Sequence, residues 1–194
     1  AVERISPEAP VPILNGQKRD YRPGGAANVA LNIQALGANP IMCSVIGNDE
    51  KGMLLQQLFE SNKLSCIGIM IDDQRITTTK TRIIAGTQHV LRVDEETTRP
   101  IEDQVENDFI AHVKALIKDT QVDAIVFEDY DKGVITPRVI AEVVALARSK
   151  NIPTLVDPKK RNFLEYKGVS LFKPNLKELV EGLKIEVDKH SYES

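Results

Sequence analysis

Arg22-Pro23-Gly24-Gly25-Ala26-Ala27-Asn28 stands between a proline-rich extended segment and a helical run, residues 29–36, that stops at Gly37. Two adjacent glycines at a helix start carry physical information. Without a Cβ, the backbone can lie against a ligand and turn its N–H groups toward it. Asn28, one turn in, both donates and accepts hydrogen bonds, which suits a hydroxylated ligand such as a sugar better than a bare anion. A plain tight turn with a solvated Asn28 is the other reading of the same residues.

Working outward, residues 5–14 carry Pro7, Pro10 and Pro12 and can form only a loop or an edge strand, because proline donates no ladder hydrogen bond. After the first helix comes Ile41-Met42-Cys43-Ser44-Val45-Ile46, a continuous apolar run of the kind buried on both faces in a parallel sheet. Asp49 then caps a helix to about residue 62. Between 66 and 96 three strand-like stretches follow one another without a helix. They are read as an antiparallel excursion, a small β lid joined by the N-terminal segment. Alternation then resumes: a helix over about 101–117, a strand at 122–127, a helix capped by Thr136 with Pro137 at its first position, and strands at 152–156 and 169–172. These strands run into Glu128 to Gly133, Asp157 to Asn162 and Lys173 to Glu178. Ligands in open α/β sheets bind beyond the carboxyl ends of the strands, so three polar clusters there predict a site.

Composition narrows the chemistry. At 194 residues with a net charge of −3 the chain can bury a core and offers nucleic acid no basic face; no run is long enough for a membrane span. Cys43 and Cys66 sit in apolar runs and read as small buried residues of a reducing cytoplasm rather than a disulfide. Gly47 and Gly52 have the separation of a phosphate loop, but Met53 stands where the lysine belongs. Asp129, Asp131 and Gly133 begin like a calcium loop, yet Ile140 replaces the final glutamate. His89, His112 and His190 lack zinc spacing. What remains is Asn28, Asp129, Lys132, Asp157, Lys159, Asn175 and Glu178, an inventory suited to magnesium held through water, phosphate met by lysine and a sugar met through its hydroxyls.

With these residues in place, Arg22 to Ala30 resembles the N-terminal signature of the PfkB, or ribokinase-like, sugar kinases, and Asn175-Leu176-Lys177-Glu178 resembles their Asn-x-x-Glu motif. More narrowly, Arg4 to Pro12, Asp129-Tyr130-Asp131-Lys132-Gly133 and Asp157-Pro158-Lys159 resemble the kinase domain of bacterial ADP-heptose synthases. The resemblance implies a three-layer α/β/α core with a mainly parallel sheet at 22–65 and 96–194, and a β lid at 1–21 and 66–95. It implies ATP and Mg2+ as cofactors and D-glycero-D-manno-heptose 7-phosphate as substrate, with a PfkB-type kinase for another sugar such as fructose or ribose, or a non-catalytic sugar-phosphate binding module, as the alternatives and a dimer through the lid as a further expectation. Gly24, Gly25, Asn28, Arg92, Asp129, Lys132, Asp157 and Lys159 would meet the substrate, with Arg82 and Asp94 also on the lid. Asn175, Leu176, Lys177 and Glu178 would serve the nucleotide, Glu178 through a magnesium-bound water. Such kinases carry a sugar-binding aspartate on a strand before the Arg-Ile-Ser segment, and a later Gly-Ala-Gly-Asp motif that supplies the base. On that pattern the chain reads as a fragment, its catalytic aspartate lying beyond Ser194.

Overall fold

The computed structural model describes residues 2–5, 12–14 and 16–185. Its first strands, β1 (Val2–Ile5) and β2 (Pro12–Leu14), pair antiparallel with each other. Helix α1 (Ala26–Ala35) follows and ends at Leu36, with Gly37 beyond it at φ 91° as the helix stop requires. Strand β3 (Ser44–Gly47), helix α2 (Glu50–Ser61) and strand β4 (Ile69–Asp72) form a βαβ unit whose two strands are parallel. Asp49 caps α2 by accepting from the Gly52 amide at 2.7 Å, and its other oxygen accepts from Thr77 N at 2.7 Å.

Strands β5 (Thr79–Ala85) and β6 (Gln88–Glu95) make an antiparallel hairpin that turns at Gly86. Then come α3 (Asp103–Asp119), β7 (Ile125–Glu128), α4 (Pro137–Ser149), β8 (Thr154–Asp157), β9 (Leu171–Phe172) and α5 (Leu176–Leu183). Thr136 caps α4 and Pro137 opens it. β7, β8 and β9 form a parallel sheet.

Neighbouring residues on β4 reveal the layering. Ile69 packs against Ala27, Ala30 and Phe59 of α1 and α2, whereas Met70 packs with Val45 of β3 and the apolar faces of α3 and α4. Successive strand residues face opposite sides, so helices cover both faces of the parallel strands. This is the expected α/β/α core.

One expectation about the lid fails. Residues 66–95 are not three antiparallel strands, because β4 runs parallel to β3 in the core. The alternation Ile67, Ile69, Ile71 describes a half-buried strand of either kind, and α2 is the crossover that makes the parallel partner possible. Among the described residues, moreover, no ladder joins β1–β2 to β5–β6, so the hairpin at 79–95 is a two-stranded unit by itself. Residues 1, 6–11, 15 and 186–194, parts of the expected lid and core, lie outside the described ones. Cys43 and Cys66 are both free, and burial pushes the Cys43 thiol up to about 11. No helix among the described residues is long and apolar enough to cross a membrane.

Candidate functional site

The glycine loop meets the sheet at one aromatic ring. Gly25 caps α1 at φ 53° and ψ −133°, a conformation in which an L side chain is strained. A Cβ there would sit 3.7–3.8 Å from the Tyr130 ring, which projects from the loop after β7. The amides of Ala27 and Asn28 turn back onto the carbonyls of Gly24 and Gly25 at 3.1 Å. Asn28 is exposed on the first turn of α1.

The parallel strands deliver their polar ends beside this loop. Glu128 and Asp157 are register partners at the last rungs of β7 and β8. Lys173, after β9, donates to Asp157 Oδ1 at 3.2 Å. Burial, and then the Asp157 charge, raise the Glu128 carboxyl above its usual range; burial followed by the Glu128 charge likewise raises Tyr130. Raising a carboxyl pKa on folding adds stability only while the group is protonated, and that contribution is lost as pH rises through the folded value. Glu128→Gln is therefore expected to be more stable than the parent at pH 7, with the gain vanishing in acid below both pKa values. Chemical denaturation at the two pH values measures it.

Asn175 and Glu178 open α5 as a reciprocal cap. Asn175 Oδ1 accepts from Glu178 N and Glu178 Oε2 accepts from Asn175 N, each at 2.9 Å. Glu178 Oε1 is bound by Lys159 Nζ. Burial is the largest influence on Lys159 and opposes its charge, but the hydrogen bond to Glu178 and the Glu178 and Asp157 charges together outweigh it and the ammonium titrates above its usual range; burial likewise opposes the Glu178 charge, and the Lys159 bond, the Asn175 amide and the lysine charges together hold that carboxyl low. Leu176 and Lys177 are both exposed, and among the described residues Lys177 pairs with Glu181, at 3.8 Å. Among the described residues no cluster of three or more histidine, cysteine, aspartate or glutamate side chains could hold a metal. A hard cation such as magnesium fits here only by keeping waters and phosphate oxygens as ligands, with Glu178 and the Asn175 amide as oxygen acceptors for that water.

Lys132 leads in another direction. Its ammonium lies 2.7 Å from Glu96 Oε1, and Glu96 Oε2 lies 2.8 Å from Lys80 Nζ. Lys80 lies 2.8 Å from Asp94 Oδ2, and Asp94 Oδ1 lies 3.0 Å from Arg92 Nε. A ladder of alternating charges thus runs from the β7 loop onto the hairpin. The lysine hydrogen bonds hold Glu96 and Asp94 below the usual carboxylate range, and the two carboxylates raise Lys80. Arg82 is the register partner of Arg92, so two like charges face each other across the strands. Asp94 offsets the Arg92 charge, whereas Arg82 has no ion-pair partner among the described residues, so an anion at Arg82 would relieve the remaining repulsion.

Asp129, expected to meet substrate, is turned inward and only 2% exposed. Its Oδ2 accepts from Tyr166 OH at 2.8 Å and from Asn162 Nδ2 at 3.1 Å, and its Oδ1 from Asp131 N at 2.8 Å. It is a structural node, and Glu128, one residue earlier, holds the strand-end position. Period-two alternation after buried Phe127 carries that signal, since side chains on opposite sides of β7 cannot both face a ligand. Glu96 and Lys80, the middle of the ladder, belong to no motif in the sequence.

Comparison with known proteins bears on the family and the fold of the chain. The model of the pfkB family carbohydrate kinases matches residues 1–191. The bifunctional protein HldE of Geobacter metallireducens is 40% identical over 176 residues, 91% of this chain and 36% of that protein. That of Campylobacter jejuni subsp. jejuni is 45% identical over 183 residues, covering 94% of this chain and 38% of the relative. The chain thus spans well under half the length of these relatives. Among solved structures, the tetrameric inhibited form of phosphofructokinase-2 from Escherichia coli superposes with a TM-score of 0.65 at 16% identity, over 91% of this chain and 60% of that one. A 2-dehydro-3-deoxygluconokinase from Thermotoga maritima gives 0.64 at 16% identity, over 85% and 54%. Likeness at such identity speaks to fold.

Proposed function

The chain belongs to the pfkB family of carbohydrate kinases, and from that premise we propose that it serves ATP-dependent phosphorylation of a sugar that already carries a phosphate, D-glycero-D-manno-heptose 7-phosphate, at its anomeric hydroxyl. The product would feed synthesis of ADP-heptose and of the lipopolysaccharide core. The observation that carries the phosphorylated substrate is the ladder: Lys132 and Arg92 are oriented by fixed carboxylates, and Arg92 faces Arg82 across the hairpin. A phosphate dianion bridging the two guanidiniums would convert their repulsion into paired charge-assisted hydrogen bonds.

The glycine loop and Asn28 would hold the sugar hydroxyls, with Tyr130 as the wall behind Gly25. Asn175 and Glu178 would hold the water shell of magnesium, whose chemistry when bound is to neutralise charge on the nucleotide phosphates. The hairpin covering the acceptor would exclude water from the transfer. Catalysis on this plan is positioning and charge neutralisation.

The test is a coupled assay of the full-length protein with heptose 7-phosphate, fructose and ribose as acceptors. Replacing Arg92 by alanine is expected to raise KM for heptose 7-phosphate about 10-fold or more, the worth of a charge-assisted hydrogen bond, with KM for ATP unchanged. Equal losses on unphosphorylated sugars would reduce the ladder to a brace and move the substrate to a neutral sugar. The strand-end cluster would still support kinase chemistry in that case.

A further inference from the structure

Both carboxylate oxygens of Glu178 are engaged from within the chain, and by different elements. Oε2 takes the Asn175 amide of its own helix cap, which fixes the side chain along the start of α5. Oε1 takes Lys159, which comes from the turn after β8. Only 12% of the Glu178 side chain and 33% of the Lys159 side chain is exposed. Two residues before Lys159, Asp157 is occupied by Lys173, so the two lysines each have a separate acidic partner rather than sharing one. The cap alone leaves the second oxygen free to rotate with χ3, a broad two-fold torsion; the lysine removes that freedom.

We propose that Lys159 is a positioning residue for the cation–nucleotide site: it orients the Glu178 carboxylate, and acts through it rather than by touching the sugar. This rests on the kinase reading and changes the role first expected for Lys159, which was substrate binding. A partner in the outer shell of a metal site fixes the orientation and basicity of the group that faces the metal, and losing it typically costs 10–100-fold in metal affinity. Glutamine at 178 would keep the cap, since glutamine also completes a capping box, while losing the charge that Lys159 meets.

The experiment is a double-mutant cycle on the full-length protein by calorimetric titration with a non-hydrolysable ATP analogue, with magnesium and again in EDTA. Lys159→Met is expected to weaken the magnesium-dependent binding about 10-fold while leaving binding in EDTA within about twofold. Lys159→Arg should recover most of the loss. The double variant Lys159→Met, Glu178→Gln should bind no more weakly than Glu178→Gln alone, because the two side chains act as one unit. Additive losses would show that Lys159 meets the ligand independently and would overturn the proposal, as would an equal loss in EDTA, the mark of a purely structural cap. A parent protein that fails to bind the magnesium complex at all would overturn the kinase reading and this inference with it. A parent that binds, with Lys159→Met unchanged, overturns the inference alone.

Discussion

Replacing Asp129 by alanine is expected to destabilise the protein by about 3 kcal/mol or more, the largest loss of any single carboxylate in the Glu128 to Gly133 loop. The reason is what the carboxylate leaves behind. Tyr166 OH, Asn162 Nδ2 and Asp131 N all donate to it, and Asn162 and Tyr166 are buried at 2% and 6% exposure. The Asn162 and Tyr166 donors are buried, so each carries a desolvation cost once its acceptor is gone. Asn162 keeps its second bond, to the Ile135 carbonyl at 2.8 Å, whereas the Tyr166 hydroxyl has no other bond among the described residues. Tyr166 is raised far above its ordinary pKa by burial and then by the Asp129 charge, which fits a phenol that stays a donor throughout the accessible pH range. Its ring also packs edge-on against Phe127 at 5.7 Å, so loosening it disturbs the α3–α4 side of the core. Urea unfolding followed by tyrosine fluorescence measures the loss. A variant that stayed within about 1 kcal/mol of the parent but lost sugar binding would return Asp129 to the ligand-facing set.

Asp129 also shows what the sequence could and could not reveal. The order of elements, the caps at Asp49 and Thr136 and the polar strand ends were legible, because they rest on local chemistry: a side-chain acceptor before a helix, a proline at its first turn, an apolar run closed by polar residues. The Asn175 and Glu178 pair was legible as a motif, though its capping role was not anticipated. What stayed hidden depended on register. Taking Gly86-Thr87 as a plain two-residue turn puts Arg82 opposite Leu91; the irregularity between Ile83 and Ile84 shifts the ladder by one and sets Arg82 against Arg92 and Lys80 against Asp94. The pairing skips Val90 on β6, and a bulge has no signature in a residue as ordinary as valine, so the charge ladder is not legible in the sequence. Likewise β4 reads as part of the lid, because an alternating strand looks the same beside a parallel or an antiparallel neighbour. The partner is chosen by tertiary packing of α2, at long range in sequence.

The ladder has an anchor, and Gly133→Ala is expected to break it. Gly133 lies at φ 77°, and a Cβ there would stand 1.8 Å from the Arg99 carbonyl oxygen and 2.5 Å from its carbon. Both are backbone atoms, so no side chain can swing aside. The same close approach lets Ile101 N donate to the Gly133 carbonyl at 2.9 Å, and Arg75 spans the junction by donating to the carbonyls of Arg99 and Lys132. Arg161 adds a bond to the Thr98 carbonyl at 2.6 Å. The loop after β7 and the segment that follows the hairpin are thus pinned together beside the Lys132–Glu96 pair. Alanine combines left-handed backbone strain of about 1–2 kcal/mol with a backbone clash that separates the two segments, for a total of about 3–4 kcal/mol. Gly86→Ala is the control: its φ is 61° but nothing lies within 4 Å of the added carbon, so it should show the backbone term alone, about 1 kcal/mol. Thermal unfolding of the two variants separates strain from displacement. At a temperature where Gly133→Ala remains folded, KM for the phosphorylated sugar should rise more than KM for ATP, because Lys132 is carried away from the ladder while Lys159 and Glu178 stay in place. If the two glycine variants are equally stable, or if KM for ATP rises as much as that for the sugar, the loop does not register the hairpin on the core.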